Sequence, residues 1–325
     1  MGPNGAGKTN LLESLHVGTQ GFSPRTRNDA QLIRFGEHAT RIALRGESVG
    51  RPIELELVVR SGEPKRAKVN GAQLRAAEQL RSTVATLVFT PDRLAVVKGG
   101  PAVRRAYFDR ALGRLAPARA TLPAEYGAVL AQRNAALRRI QLGLSSPEAL
   151  APWTERAAEL GAALVEARRD ALALLSPSFA ERAGELGLDG GALVYEAEAP
   201  TVESLESRYT RDLERGFTGA GPHLDEIGIV AAARDLRTFG SQGEQRLAVL
   251  SLLLAEAELI VERQGAPPLL LLDDVLSELD PERRRILATR IGGRGQALVT
   301  STNAAALPAE PAQLLDVTPG QVTER

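Results

Sequence analysis

The chain has 325 residues and no cysteine, which excludes disulfides, thiolate metal sites and a cysteine nucleophile. Its 40 Lys and Arg balance its 40 Asp and Glu overall, but residues 1–141 carry 23 basic against 11 acidic side chains and residues 142–325 carry 17 against 29, so the first part suits a polyanionic partner. No secretory signal opens the chain, no apolar run reaches the roughly 18 residues of a membrane span, and His16, His38 and His223 show no metal-ligand spacing, so a cytoplasmic protein is expected.

In chain order, "MGPNGAGKTN" gives a glycine-rich loop, and "TNLLESLHVG" a helix that starts at the loop and stops near Gly18. A polar, turn-rich stretch follows. "ATRIALRG" and "RPIELELVVR" alternate apolar and charged residues and read as half-buried strands. "EPKRAKVNGAQL" predicts a hairpin turn at Asn70-Gly71, and "TVATLVF" an apolar strand closed by Pro91. From about 101 to 185 the segments become rich in Ala, Leu, Arg and Glu at helical spacing, broken by Pro117, Pro123, Gly143, Pro147 and Pro152, which predicts an antiparallel helical lobe. Shorter mixed segments then return, with "PPLLLLDD" and "GQALVTST" as buried strands. The expected division is 1–100 for the first part of a head, 101–205 for the helical insertion and 206–325 for the second part of the head.

Three of these segments carry chemistry. Gly2-Pro3-Asn4-Gly5-Ala6-Gly7-Lys8-Thr9 fits the pattern of a loop that wraps a phosphate chain with backbone N–H groups, with Lys8 on the β/γ-phosphates and the Thr9 hydroxyl on Mg²⁺. Only four of the 40 basic residues are lysines, and one of them stands where the loop needs a slim point charge. Asp273 ends an apolar strand, where it would hold Mg²⁺, and Asp274 would polarise an attacking water. "SQGEQ" places Ser241 as helix N-cap and Glu244 as its capping-box partner; capping explains those two but not Gln242-Gly243 between them. "SELDP" (277–281) then turns into a helix.

Together these segments resemble the ABC ATPase head: phosphate loop, signature "SQGEQ", strand "LLLLDD" and "SELD" as the D-loop. The expected fold is therefore α/β, an ABC-type P-loop ATPase head with a mixed sheet, interrupted by an α-helical lobe. A helical insertion between loop and signature resembles the SMC-like branch. "SPRTRNDAQLIRFGEHATRI" (23–42), "VFTPDRLAVVKGGPAVRRAYFDRAL" (88–112), "TGAGPHLDEIGI" (218–229) and "FGSQGEQRLAVLSLLLAEAE" (239–258) narrow the resemblance to the bacterial RecF family of recombinational repair proteins.

That resemblance implies a cytoplasmic, slow ATPase using ATP and Mg²⁺, which dimerises when ATP is bound. It also implies binding to single- and double-stranded DNA, and work with RecO and RecR to load RecA, which feeds the SOS response. Carried over by motif, Gly2 to Thr9 contact phosphate, Thr9 and Asp273 the metal, and Ser241, Gln242 and Gly243 the γ-phosphate held by a second copy. Lys8, Asp273 and Asp274 serve hydrolysis. Asp274 stands where many ABC proteins carry glutamate, and the strand near 297–302 lacks the usual histidine, leaving Thr300, Ser301 or Thr302 to serve. Leu224 replaces the arginine of the family's Gly-Pro-His-Arg-Asp, and His223 is expected to cap a turn. Strands before the loop are also implied, so Met1 is expected to be a misassigned start or a truncation, with an unfilled slot in the head sheet and poor ATP binding. Candidate DNA contacts are Arg25, Arg27, Arg34, Lys65, Arg66, Lys68, Arg104 and Arg105. The alternatives are an SMC-like structural chromosome ATPase, disfavoured by the short arm, and a transporter's nucleotide-binding subunit, disfavoured by the helical insertion.

Overall fold

A computed structural model describes every residue except positions 27, 49, 293, 294, 304–306 and 308, and the side chains of all but positions 78 and 278 of the rest. In chain order the elements are α1 (Lys8–Gln20), β1 (Ala39–Ser48), β2 (Arg51–Arg60), β3 (Arg66–Val69), β4 (Ala72–Gln73), β5 (Thr86–Phe89), α2 (Ala95–Lys98), α3 (Pro101–Leu115), α4 (Leu122–Gln141) and α5 (Ala151–Glu185). They continue with β6 (Ala192–Val194), α6 (Val202–Glu206), α7 (Tyr209–Arg215), β7 (Gly228–Ala231), β8 (Arg234–Asp235), α8 (Leu236–Phe239), α9 (Gln242–Gln264), β9 (Leu269–Leu272), α10 (Pro281–Ile291), β10 (Ala297–Val299), β11 (Leu315–Thr318) and β12 (Gln321–Glu324).

The chain divides into two compact units. One comprises residues 1–94 and 252–325, the other residues 95–251. The second boundary thus falls inside α9 rather than near 205, because the segment 206–251 makes its contacts with the helices.

In the first unit, β1 to β4 form an antiparallel sheet and β10-β9-β5 a separate parallel one, so the two strand types do not share a sheet. The four leucines of β9 lie in the centre of the parallel sheet, which is why the run reads as continuously apolar. Helix α1 serves both sheets. Leu12 packs with Val88 and Leu271, whereas Val17 packs with Leu55, Leu57 and Val59 of the antiparallel sheet. The helix does not stop near Gly18. A Cβ there would lie 2.6 Å from Leu44 Cδ1 and 2.9 Å from Ile42 Cγ2, so this glycine admits β1 at close range, and the helix ends instead at Gly21, whose φ of 76° is the usual left-handed stop.

The hairpin at Asn70-Gly71 forms as expected, joining β3 to β4. On the outer face of β1 to β3, Arg41, Arg45, Arg66 and Lys68 alternate with Glu54 and Glu56, and Arg41 bonds Glu56 across the ladder. Met1 lies beside β11: its ammonium donates to Leu315 O (2.5 Å), and Val317 N donates to Met1 O (2.7 Å). A groove of about 700 Å³ is lined there by Leu12, Leu287, Leu298, Leu315 and Val317.

The second unit is a helical lobe. Helix α5 packs against α3 and α4 through Leu112, Tyr126, Leu160 and Leu164. It runs 35 residues, roughly 50 Å, and passes through Pro177. Beside the helices lies a small antiparallel sheet, β6-β7-β8. The lobe's interior is charged as well as apolar. Arg133 and Asp212 are fully buried and paired at 3.1 Å, and Arg133 also donates to Thr218 Oγ1 at 2.6 Å.

Candidate nucleotide-binding site

Because β9 sits between β5 and β10, its C-terminal end opens beside the start of α1. Asp273 follows β9 directly and is anchored by its own N–H to Phe89 O (2.9 Å). Asp273 is 6% exposed, and its carboxylate receives two hydroxyl donors: Thr9 Oγ1 to Oδ2 at 2.8 Å and Thr300 Oγ1 to Oδ1 at 2.6 Å. Thus the predicted partners Thr9 and Asp273 meet, although 264 positions separate them.

The loop before α1 is built for an anion. Gly7 adopts φ 101°, a left-handed conformation that turns the chain into the helix, and no side chain caps that helix start. Gly2, Pro3, Asn4, Gly5 and Ala6 form the rest of the loop, with Ala6 N donating to Pro3 O at 3.3 Å. Lys8 folds back over it and donates from Nζ to Gly2 O (2.6 Å) and Pro3 O (2.8 Å). A phosphate oxygen would compete with these two carbonyls for the ammonium.

Asp274 is exposed, with φ 50° and ψ 30°. Aspartate tolerates this left-handed backbone better than a longer side chain such as glutamate does, which gives a local reason for Asp at this position. Ser277 Oγ donates to Asp274 O, and Asp280 caps α10 by accepting from Arg283 N at 2.9 Å, with that N–H holding the Asp280 carboxyl below its usual range.

Residues Ser241, Gln242 and Gly243 belong to the other compact unit, at the exposed start of α9. The capping box forms as expected: Ser241 N donates to Glu244 Oε2 (2.7 Å) and Glu244 N donates to Ser241 Oγ (3.2 Å). The Ser241 N–H holds the Glu244 carboxyl below its ordinary range.

Of the three hydroxyls after β10, Thr300 is committed to Asp273, and Ser301 donates to Asn303 O (3.0 Å), while Thr302 is exposed. His223 closes a fold contact. Its Nε2 faces the Thr218 carbonyl (3.0 Å) and must carry the proton, so Nδ1 accepts from Tyr126 Oη (2.9 Å). The turn from Gly221 O to Leu224 N lies directly across it, and Leu224 itself is exposed.

Several expected DNA contacts serve the fold instead. Arg104 is buried against Val97 O and Glu226, Arg105 donates to Asp225 O, and Lys65 bonds Gly21 O and Asp29. Arg25 pairs with Glu13, Arg66 with Glu63 and Lys68 with Glu56, each on an exposed or half-exposed surface; Arg34 is exposed, and Arg27 lies outside the described residues. One residue that sequence reasoning did not single out organises the lobe. Arg168 grips Asp109 with two bonds (2.7 and 2.9 Å) and Pro222 O with a third (2.7 Å). Asp109 and Pro222, from two of the motif stretches, therefore meet at Arg168 on α5. The charged residues of those stretches gave no sign in sequence of pairing with each other.

The residues present fit a magnesium ion. Thr9 and Asp273 offer hard oxygen donors at the end of β9. Among the described residues no helix is long and apolar enough to cross a membrane.

Comparison with known proteins agrees with this geometry. The family model described as RecF/RecN/SMC N terminal domain matches residues 1–323. The chain is 37% identical over 317 residues to the DNA replication and repair protein RecF of Heliobacterium modesticaldum, covering 93% of this chain and 85% of that protein. It is 36% identical over 341 residues to the RecF of Bacillus mycoides, covering 99% and 91%. Among solved structures, the recombination mediator protein RecF with ATP in the RecFOR pathway superposes with a TM-score of 0.90 at 28% identity, covering all of this chain and 90% of that one. An Smc head bound to the C-winged helix domain of ScpA reaches 0.57 at 16% identity, a likeness of fold alone.

Proposed function

The chain belongs to the RecF family, and from that premise we propose that it is an ATP-dependent DNA-binding protein of replication and recombinational repair. The observation that carries this reading is the bond from Thr9 to Asp273, which closes the phosphate loop against the carboxylate of β9. A loop with that partner serves nucleotide phosphates and a divalent cation rather than a surface turn.

The proposed mechanism follows from this chain's own groups. The backbone N–H groups of Gly2 to Thr9 and the Lys8 ammonium bind the phosphate chain, Lys8 leaving the Gly2 and Pro3 carbonyls to do so. Thr9 and Asp273 would hold Mg²⁺, which when bound neutralises phosphate charge. Asp274 orients the attacking water; its short side chain holds that water at longer reach than glutamate does, in keeping with slow turnover and hydrolysis as a release switch. Ser241 and the N–H groups of Gln242 and Gly243, at the exposed start of α9, approach the γ-phosphate held by a second copy, so that ATP closes a dimer on DNA. RecO- and RecR-type proteins are the proposed partners, by likeness to the RecF of the RecFOR pathway.

The test is DNA retention at moderate salt with ATP, without it, and in Lys8→Ala. ATP is expected to strengthen DNA binding by the wild-type chain, and Lys8→Ala to remove that gain. DNA binding indifferent to both would overturn the reading.

A further inference from the structure

We propose that Thr300 is a positioning residue for the aspartate pair: it fixes where the Asp273 carboxylate points and the backbone conformation in which Asp274 is presented. The proposal deepens the nucleotide reading above and rests on it.

The placement follows from sheet register. Val299 of β10 pairs with Leu272 of β9 in parallel, and Thr300 N donates to Leu272 O at 2.9 Å. The next side chain is therefore level with the two aspartates. Its hydroxyl has one proton, which goes to Asp273 Oδ1 at 2.6 Å. Its lone pair accepts the Asp274 N–H at 3.0 Å. One buried hydroxyl, on a residue 7% exposed, thus satisfies an acceptor on one aspartate and a donor on the next.

This divides the labour of the Asp273 carboxylate. Oδ1 is tied to the fold by Thr300, which leaves Oδ2, bonded to Thr9, as the oxygen that faces the phosphate loop. It also anchors the Asp274 N–H while that residue stands at φ 50°, a left-handed conformation uncommon outside glycine. Ser301 does not share the task, since it both donates to and accepts from Asn303. Thr300 has no proton left to offer a phosphate while it serves Asp273. It orients the groups that act and does not itself act.

The experiment compares Thr300→Val, which keeps the shape and loses both bonds, with Thr300→Ser, which keeps the hydroxyl. Two readouts are taken. In nucleotide-free protein, hydrogen exchange at the Asp274 amide is expected to accelerate about tenfold in T300V and to stay near wild type in T300S. In the second, the Mg²⁺ concentration for half-maximal binding of a fluorescent ATP analogue is expected to rise roughly tenfold in T300V, with metal-free binding changed less than about twofold, and T300S restoring the wild-type value. If T300V does not fold, T300A gives the same two readouts. A hydroxyl-free variant that matches wild type in both overturns the proposal. The nucleotide reading fails separately, if Lys8→Ala binds the analogue as tightly as wild type.

Discussion

Thr9 Oγ1 donates to Asp273 Oδ2 at 2.8 Å, joining the first helix to the end of the ninth strand across most of the chain's length. Thr9→Val removes the donor and leaves a nearly buried carboxylate oxygen without it. Stability is expected to fall by about 1–3 kcal/mol, and the Mg²⁺ dependence of nucleotide binding to weaken. Thermal melts and magnesium titrations read the two effects; an unchanged magnesium dependence would remove Thr9 from the metal site.

The buried pair of Arg133 and Asp212 predicts a large asymmetric penalty. Arg133→Met leaves the fully buried Asp212 carboxyl without its ion-pair partner, and is expected to cost about 3–5 kcal/mol. Replacing both partners together with apolar residues is expected to cost much less. A denaturant-unfolding double-mutant cycle distinguishes these, and equal losses for single and double variants would contradict the assignment.

His223 makes the stability of the fold depend on pH. Burial lowers its pKa below the ordinary 6.5, ahead of the opposing pull of the Thr218 carbonyl. The unfolded chain therefore binds the proton more readily than the folded one, so the contribution is complete above about pH 6.5 and is lost as pH falls below it toward the folded value. Unfolding free energy is expected to decline from pH 7 to pH 5, and His223→Gln to flatten that decline. A slope unchanged by the substitution would show that other groups carry it.

The loop, the aspartate pair and the capping box were legible because each is local: a few adjacent residues dictate the geometry. The half-buried strands and the buried β9 were legible from periodicity for the same reason. What the sequence concealed is long-range. Nothing about "VTST" says which hydroxyl turns inward, since that depends on the register of β10 against β9. Gly18 reads as a helix stop, and only the approach of Leu44 makes it a packing site. Arg104 and Arg105 read as surface charge until Glu226 and the Asp225 carbonyl supply their partners. The unit boundary within α9 is set by contacts of 206–251 with the lobe, which composition does not reveal.

The claim that nucleotide is shared between two copies is tested most directly by light scattering in solution. Without nucleotide the wild-type chain is expected at its single-chain mass of 34.6 kDa, and with ATP and Mg²⁺ at twice that value. Ser241→Arg, which fills the exposed start of α9, is expected to bind the ATP analogue normally and to stay at the single-chain mass. A Ser241→Arg protein that doubles its mass with ATP as the wild type does would contradict the shared site.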